Sequence, residues 1–465
     1  MQLAPALNRA DALAAAFKRG RYDLLGLNPK QQEAMHVLAD GTTKALLFGG
    51  GANGGKSWLG CCWLLMNALA YPGTRWFIGR EELKRLREST YLTFGKVRQA
   101  YGLPMNTYKY NGQDHYLQFP NGSRVDLLEL KLLPSDLLYE RYGSVEYTGG
   151  WIEEGGEVDF GAYDTLKSRI GRQLNDKYKL LGKLLITCNP KKNWLYTTFY
   201  KPFKDKVLKP GLAFLQSLVG DNLMRESGAI EALQGLTDQS KRERLLLGNW
   251  EYEDDPTALM PYENLLALFS NEHILPGPKR YITADAARFG GDKIILYVWH
   301  GWRVVAIVEM AKQGTHVTAA AIRKLCQQHQ VPPSNVVIDE DGVGGGVVDQ
   351  VPGSKGFLNG SRPIKMAGQA QNCENLKTQC YYRLAELRIN TKQLFIAPGV
   401  MSPAQQQALT EELGQIKSKD ADKDGVLRIQ PKDVQKLALG RSPDYADALM
   451  MREFFELAST YRGLL

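Results

Sequence analysis

The chain carries the stretch Leu46-Leu47-Phe48-Gly49-Gly50-Gly51-Ala52-Asn53-Gly54-Gly55-Lys56-Ser57, an apolar run that gives way to glycines and ends on Lys-Ser. Residues 50–57 match the G-x-x-x-x-G-K-[ST] template of a P-loop, in which backbone N–H groups wrap a phosphate at the start of a helix. In that template Lys56 reaches the β- and γ-phosphates, and Ser57 holds Mg²⁺. A glycine-rich turn that binds nothing is the alternative, but the flanking residues predict the strand and the buried helix that the motif requires.

We therefore expect this loop to bind ATP with Mg²⁺. The loop residues expected to contact the nucleotide are Gly50, Gly51, Ala52, Asn53, Gly54, Gly55, Lys56 and Ser57. Upstream, Asn28 and Pro29 predict the N-cap and first turn of a helix that carries Gln31. Many nucleic-acid motors bond adenine with a glutamine at this place, and a solvated glutamine on the helix surface is the alternative.

The composition is that of a folded protein with more than one domain. The 465 residues are 44% hydrophobic and 23% charged, which argues against long disorder and against a single core. The net charge of +8 suits an enzyme that handles a polyanion, and equally a merely soluble basic protein. Six cysteines without C-x-x-C spacing predict reduced thiols rather than a zinc site. Because no secretion signal or membrane-length apolar stretch is found, we expect a cytoplasmic protein without a membrane partner.

Two further apolar strands are predicted after the P-loop, and both end in polar residues. The first ends in Glu153 and Glu154. ATP hydrolysis needs one carboxylate for Mg²⁺ and another to orient or deprotonate water, so we assign Glu153 to the metal and Glu154 to the water. Two surface glutamates are the alternative. The second strand ends in Thr187 and Asn189, which we expect to sense the γ-phosphate.

The strand pattern restarts after an acidic turn near Asp255. Its predicted elements are strands at 280–285, 293–300 and 302–310, a helix at 317–328 and a strand at 335–339. Three meandering strands, a helix and a fourth strand follow the order of an RNase H-like fold. In that order Asp285 and Asp339 end neighbouring strands and can face each other.

A late helix adds two more carboxylates. Ser442 is predicted as its N-cap and Pro443 as its first residue, which places Asp444 and Asp447 on one helix face. Together with the strand-end aspartates, they can hold two Mg²⁺ or Mn²⁺ ions for phosphodiester cleavage. Each aspartate taken alone is more often a turn or cap residue.

Together these motifs resemble the large terminase subunit of tailed double-stranded DNA bacteriophages, over residues 27–452. The matching motifs are an adenine motif at Pro29–Gln31, Walker A at Gly50–Ser57, Walker B at Ile152–Glu154 and a coupling motif at Thr187–Asn189. The resemblance implies an α/β protein with an ASCE-type P-loop ATPase domain and an RNase H-like nuclease domain. The expected divisions are 1–218 for the ATPase domain with its N-terminal helices, 219–255 for a helical linker subdomain and 256–465 for the endonuclease domain.

The resemblance also implies individual roles. Cys188 completes the coupling motif, although it interrupts a motif that more often contains Ser, Thr, Gly or Ala. Glu153 stands where Asp is usual. Arg141 lies where some members carry an arginine that reaches the nucleotide of a neighbouring subunit, and a plain surface arginine is the alternative. The nuclease acids correspond to Asp285, Asp339 and Asp447.

The implied function is an ATP-driven motor that moves double-stranded viral DNA into procapsids and cuts concatemers with a two-metal nuclease. Its partners would be DNA, a portal protein, a small terminase subunit and identical copies in a pentamer on the procapsid. It would work in the cytoplasm of the infected bacterial host and stay out of the mature virion. Two alternatives remain: a helicase or repair-type ATPase fused to a nuclease, and a nucleotide-gated DNA-binding module with an inactive nuclease.

Overall fold

The computed structural model describes residues 5–133, 135–136, 138–222, 225, 227–252, 255, 257–286, 293–311, 313–342, 344–365, 372–419 and 425–462. The chain forms two compact units, Met1–Glu253 and Asp254–Leu465. The separate helical linker subdomain, with its bounds at 219 and 255, stays a prediction. All six cysteines are free thiols, and five of them are buried. None of the helices that the structure describes has the length and apolar character needed to cross a membrane.

The first unit is built around an eight-stranded sheet. Its strands are β1 Ala45–Gly50, β2 Arg75–Arg80, β3 Lys109–Asn111, β4 Tyr116–Gln118, β5 Arg124–Glu129, β6 Gly149–Ile152, β7 Leu184–Cys188 and β8 Leu212–Ser217. Its helices are α1 Pro5–Lys18, α2 Pro29–Ala39, α3 Lys56–Ala70, α4 Leu83–Arg85, α5 Tyr91–Ala100, α6 Phe160–Lys167, α7 Asn175–Tyr178, α8 Lys201–Lys204, α9 Ala229–Gln234 and α10 Gln239–Leu245. Short 3₁₀ or π turns lie at Tyr22–Leu25, Leu86–Thr90, Met105–Thr107, Glu140–Tyr142, Tyr196–Tyr200 and Val219–Asp221.

The strand order of this sheet is β3-β4-β5-β2-β6-β7-β1-β8, and every pair from β5 to β8 is parallel. Strands β1, β6 and β7 are buried at every position, as parallel strands covered on both faces must be. Strand β7 lies between the P-loop strand β1 and the acidic strand β6. An additional strand at this position defines an ASCE-type P-loop domain, so the predicted fold class of this unit is confirmed.

The second unit contains a six-stranded and a three-stranded sheet. Its strands are β9 Arg280–Asp285, β10 Ile294–His300, β11 Arg303–Met310, β12 Val336–Asp339, β13 Lys355–Phe357, β14 Asn372–Cys373, β15 Phe395–Ile396, β16 Ser418–Lys419 and β17 Val426–Ile429. Its helices are α11 Tyr262–Ala267, α12 Thr315–His329, α13 Gly344–Val348, α14 Leu376–Leu384, α15 Pro403–Gly414, α16 Lys432–Leu439, α17 Asp444–Met450 and α18 Glu453–Arg462. A 3₁₀ turn lies at Pro333–Asn335 and a π turn at Ala385–Ile389.

The larger sheet has the order β13-β12-β9-β10-β11-β15. Strands β9, β10 and β11 form an antiparallel meander, and β12 runs parallel to β9. This is the strand order of the RNase H-like fold, which confirms the predicted fold class. Two clusters of buried side chains contribute to the core in the part of this unit that the structure describes, and helices α12 and α17 both pack against β9 and β10.

The start of α17 differs from the prediction by one residue. The helix begins at Asp444, and Pro443 occupies the N-cap position that was predicted for Ser442. The reason is the backbone of Pro443, whose ψ of 56° is not helical, although its carbonyl accepts the N–H of Asp447 at 2.9 Å. Asp444 and Asp447 nevertheless share the first turn of the helix.

Candidate active sites

The P-loop lies between β1 and α3, and its three consecutive glycines are each approached closely from behind. A Cβ on any of them would collide with another atom. The atoms that it would meet are the Trp250 ring carbon Cζ2 at 2.6 Å for Gly49, the Ser217 carbonyl oxygen for Gly50 and the Leu245 carbonyl oxygen at 2.7 Å for Gly51. Gly50 also has a φ of +144°, which side chains rarely adopt. The glycine run therefore meets packing requirements as well as the needs of a phosphate loop.

Side chains from outside the loop hold its carbonyl oxygens. Gln31 Nε2 donates to the Gly55 carbonyl at 2.8 Å, Ser217 Oγ to the Gly54 carbonyl at 2.6 Å and Asn222 Nδ2 to the Asn53 carbonyl at 2.8 Å. Since the N–H and C=O of a peptide point in opposite directions, holding the carbonyls from behind turns the N–H groups toward an anion. These three side chains help to shape the phosphate cradle.

Lys56 is buried in this loop. Its Nζ donates to the carbonyls of Gly50, at 3.3 Å, and Gly51, and to Asn189 Oδ1 at 3.1 Å. Burial lowers the pKa of Lys56, and the charge of Glu154 opposes that fall. The P-loop lysine thus directly contacts the predicted coupling segment.

The other two predicted coupling residues are turned into the core. Thr187 Oγ1 accepts the indole N–H of Trp151 at 2.9 Å, and its side chain is buried. Cys188 is fully buried, which raises the pKa of its thiol. Asn189 is therefore the residue of the motif that contacts the loop.

Glu153 follows β6 and is 3% exposed, so the alternative of two surface glutamates is wrong. Burial raises the pKa of Glu153 to about 7, and a hydrogen bond with Ser57 and the charge of Arg80 oppose that rise. Its Oε2 lies 3.9 Å from Arg80 Nη1 and has no hydrogen-bond partner in the described part of the chain. Ser57, the other residue predicted to hold Mg²⁺, therefore acts on the Glu153 carboxyl.

Glu154 is half-buried and has a φ of +47°, a left-handed conformation that is uncommon outside glycine. Burial raises the pKa of its carboxyl, and the charge of Lys56 opposes this. A carboxylate held beside the P-loop lysine with a raised pKa has the chemistry of a general base.

Gln31 is held within the protein. It forms a capping box with Asn28, with bonds of 2.8 and 3.0 Å, and is 4% exposed. The alternative of a solvated glutamine is therefore wrong. Because its amide oxygen accepts the Asn28 N–H and its nitrogen donates to Gly55, an adenine contact stays a prediction.

Arg141 is fixed by its own unit. Its Nη1 pairs with Asp136 Oδ2 at 2.6 Å, and its Nη2 donates to the Lys131 carbonyl at 2.6 Å and the Glu129 carbonyl at 3.3 Å. The role of a trans-acting arginine stays a prediction, since reaching another subunit would require these bonds to break.

In the second unit, the carboxyl ends of β9 and β12 bring two aspartates together. Ile338 pairs with Ala284 in the parallel register of these strands. The next residue of each strand, Asp339 and Asp285, therefore lies beside the other. Asp285 is 4% exposed, and its Oδ2 has no hydrogen-bond partner among the residues described. Burial raises the pKa of Asp285 well above its usual range, and the charge of Asp444 adds to this.

Burial also raises the pKa of Asp339, to about 6, and the charge of Asp447 contributes. The side chain of Asp339 accepts hydrogen bonds from the Asp341 N–H at 3.0 Å and from Asn359 Nδ2 at 3.2 Å. Asp444 Oδ2 accepts the backbone N–H of Lys293 at 2.7 Å. Asp285, Asp339, Asp444 and Asp447 therefore form an acidic cluster in which the charges act on one another.

Asp447 differs from its neighbours because two lysines hold it. Lys377 Nζ lies 2.7 Å from Oδ1 and Lys432 Nζ 2.9 Å from Oδ2, while the Tyr381 hydroxyl donates to Oδ1 at 2.6 Å. Burial would raise the pKa of Asp447, but the two lysines hold it well below its usual range. Sequence reasoning missed both lysines, which come from α16 and from α14.

The donor set suits a hard divalent cation, because it consists of carboxylate oxygens. The unpartnered Asp285 oxygen and the mutual repulsion of the aspartates are features that such an ion would relieve. Within the described ranges, no three His, Cys, Asp or Glu side chains already form a ready-made metal cluster. The ligand set Asp285, Asp339, Asp444 and Asp447 therefore stays a prediction, with Lys377 and Lys432 supplying the positive charge at Asp447.

No protein-family model and no curated protein matches the chain. Among solved structures, it is similar to the large terminase of a thermophilic bacteriophage, with 13% identity over 92% of this chain and 99% of that chain and a TM-score of 0.41. That thermophilic phage protein has also been solved in complex with ADP. The chain is likewise similar to the nuclease domain of the large terminase subunit gp2 of bacterial virus Sf6, with 23% identity over 42% of this chain and 97% of that domain and a TM-score of 0.37. These structural neighbours are large terminases, the family that the sequence motifs resemble.

Proposed function

We propose that the chain is a large terminase subunit, an ATP-driven motor that moves double-stranded viral DNA into procapsids and cuts concatemeric DNA. One observation carries the proposal: a P-loop and the two glutamates that follow a strand of an ASCE-type sheet share one chain with four aspartates, two at strand ends of an RNase H-like sheet and two on helix α17. A nucleotide-driven motor needs the first arrangement, and a metal-dependent nuclease needs the second.

In the ATPase reaction, Lys56 and loop N–H groups other than that of Ala52, which donates to the Leu245 carbonyl, bind the β- and γ-phosphates. Ser57 and Glu153 would hold Mg²⁺, which would supply neutralisation of the phosphate charge. Glu154 takes a proton from the water that attacks the γ-phosphorus, and the bond to the β-phosphate oxygen breaks to leave ADP. When Lys56 turns to the phosphates, its hydrogen bond to Asn189 breaks. The coupling segment, to which Asn189 belongs, thereby responds to the bound nucleotide.

In the nuclease reaction, Asp285, Asp339, Asp444 and Asp447 would hold two divalent ions. The ions supply activation of the attacking water and stabilisation of the leaving oxygen. Lys377 and Lys432 neutralise Asp447 in the metal-free chain. Contacts to the DNA backbone dominate binding, which therefore weakens steeply with salt.

The resemblance supplies the proposed partners. They are double-stranded DNA, a portal protein, a small terminase subunit and identical copies that form a pentamer on the procapsid. The proposed place of action is the cytoplasm of the infected host, with the subunit absent from the mature virion.

The deciding experiment combines ATP hydrolysis with cleavage of supercoiled plasmid in Mn²⁺. We expect Lys56→Ala to lose only hydrolysis and Asp285→Ala to lose only cleavage. A well-folded wild-type chain that hydrolyses ATP but never cuts would instead favour the nucleotide-gated binding module. Displacement of an annealed strand during hydrolysis would favour the helicase or repair-type ATPase.

A further inference from the structure

Arg244 lies at the end of α10, where this helix meets the P-loop. The next residue, Leu245, accepts the Ala52 N–H through its carbonyl at 2.7 Å, which holds this part of the chain against the loop. Arg244 Nε donates to the Pro190 carbonyl at 2.8 Å. Arg244 is thereby fixed between the P-loop and the coupling segment.

Among the described residues, the Arg244 Nη1 and Nη2 groups have neither a hydrogen-bond acceptor nor an ion-pair partner. The Cζ of Arg244 lies 5.4 Å from the Tyr252 ring centre. By contrast, both terminal nitrogens of Arg141 are bonded within their own unit. As far as the structure describes the chain, an anion can therefore bind Arg244 without breaking an ion pair.

Arg244 lies beside the end of the coupling segment that contacts the P-loop lysine. Pro190, whose carbonyl accepts Arg244 Nε, directly follows Asn189. Asn189 Oδ1 in turn accepts Lys56 Nζ at 3.1 Å. Arg244 thus binds the chain one residue along from the contact to the P-loop lysine.

We propose that Arg244 contacts the γ-phosphate of ATP bound in its own chain, as an arginine finger acting in cis on α10. This rests on the proposed ATPase function. The guanidinium neutralises charge on the equatorial oxygens as the bond to the leaving group breaks, which is the recognised work of such arginines. Since Arg244 belongs to α10, the same contact makes the position of this helix depend on whether the γ-phosphate is present.

The experiment compares Arg244→Ala and Arg244→Lys with Arg242→Ala, which removes an exposed arginine from the same helix. We expect Arg244→Ala to lower kcat for ATP hydrolysis about 10³-fold, as loss of an arginine finger does. We expect Arg242→Ala to stay within about twofold of the wild type, because exposed substitutions have small effects. The kcat of Arg244→Lys should stay close to that of Arg244→Ala, since lysine lacks the planar, forked arrangement of N–H donors.

Two further readouts separate phosphate contact from a structural role. Arg244→Ala should bind ADP as the wild type does, but should bind a non-hydrolysable ATP analogue more weakly. Added guanidinium should restore part of its kcat and should leave Lys56→Ala inactive. A wild-type kcat in Arg244→Ala would overturn the proposal, as would equal losses of ADP and analogue binding without rescue. A folded wild-type chain that neither binds nor hydrolyses ATP would overturn the proposed function itself, and this inference with it.

Discussion

Both candidate sites lie at the carboxyl ends of neighbouring parallel strands, but they handle charge in opposite ways. In the first unit, main-chain carbonyls of the P-loop accept hydrogen bonds from the buried Lys56 cation, and the charge of Glu154 acts on that cation. In the second unit, side-chain carboxylates crowd together, and Asp285 has a buried oxygen without a partner among the described residues. The first arrangement suits phosphates, and the second suits cations.

The two sites should therefore respond differently to substitution. The acidic cluster consists of individual side chains, so loss of one carboxylate removes part of the donor set. The phosphate cradle is main chain held by several side chains, so loss of one holding side chain should weaken it without abolishing it. Four predictions test this difference.

The largest effect is expected for Asp285→Ala in the cluster. Plasmid cleavage in Mn²⁺ should fall about 10⁴-fold, because metal-assisted stabilisation contributes several kcal/mol to the barrier. ATP hydrolysis should be unchanged. Asp349→Ala, at an exposed acidic position of the same unit, is the control. Cleavage by Asp285→Ala at the control rate would remove this aspartate from the nuclease site.

The next effect is expected for Glu154→Gln. Loss of the general base should lower kcat for ATP hydrolysis about 10³-fold while ATP binding persists. Radiolabelled phosphate release and equilibrium binding measure the two quantities separately. Glu88→Gln, at a position whose side chain is 65% exposed, should behave as the wild type. If binding and hydrolysis fall together, Glu154 supports the loop rather than the chemistry.

A smaller effect is expected for Ser217→Ala, which removes the donor to the Gly54 carbonyl. We expect ATP affinity to fall about tenfold, since an unsatisfied buried acceptor costs about 1–3 kcal/mol. Titration with a fluorescent ATP analogue gives the affinity, with Ser168→Ala at an exposed site as control. An unchanged affinity would mean that the loop keeps its shape without this side chain.

The smallest effect is expected for Glu412→Gln beneath α17. Burial raises the pKa of Glu412 to about 8, although Arg441 opposes this. The folded chain therefore favours the protonated, neutral form of Glu412. The contribution of this carboxyl to the free energy of unfolding is fully present below its unfolded pKa of about 4.5, and it is lost as the pH rises through 8. Glu412→Gln should therefore unfold at a higher temperature than the wild type, by a margin that grows from pH 5 to pH 8. A gain of about 1 kcal/mol corresponds to about 2–4 °C.

Thermal melts in metal-free buffer between pH 5 and pH 9 measure this margin. Glu272→Gln, at an exposed position, sets the baseline. A margin that is constant with pH would show that the buried charge of Glu412 is satisfied in the fold.

Local sequence patterns predicted the fold because the local signals agree with the tertiary structure. Apolar runs gave the buried parallel strands, and Asn28 with Pro29 gave the capped start of α2. The start of α17 was wrong by one residue, because serine at a helix start is a common cap and the backbone of Pro443 is not visible in a sequence.

The supporting contacts of both sites were beyond sequence reasoning. Ser217 and Leu245 reach the P-loop from distant parts of the chain, and Lys377 and Lys432 reach Asp447 in the same way. No helical or strand periodicity connects such positions, because periodicity reports only which face of an element is buried. The carboxylates themselves were predicted, because each follows an apolar run or begins a helix.

Trp250 fills the space that Gly49 leaves behind the P-loop. Its ring stacks on that of Tyr200, with the ring centres 5.3 Å apart. A glycine in front of a phosphate loop is usually attributed to the nucleotide, but here an indole ring already requires it. In diverged descendants of this chain, we expect positions 49 and 250 to change together, with a side chain at 49 appearing only where the residue at 250 is smaller. Gly50 and Gly51 face main chain instead, so they have no partner whose change could compensate and should vary independently of position 250.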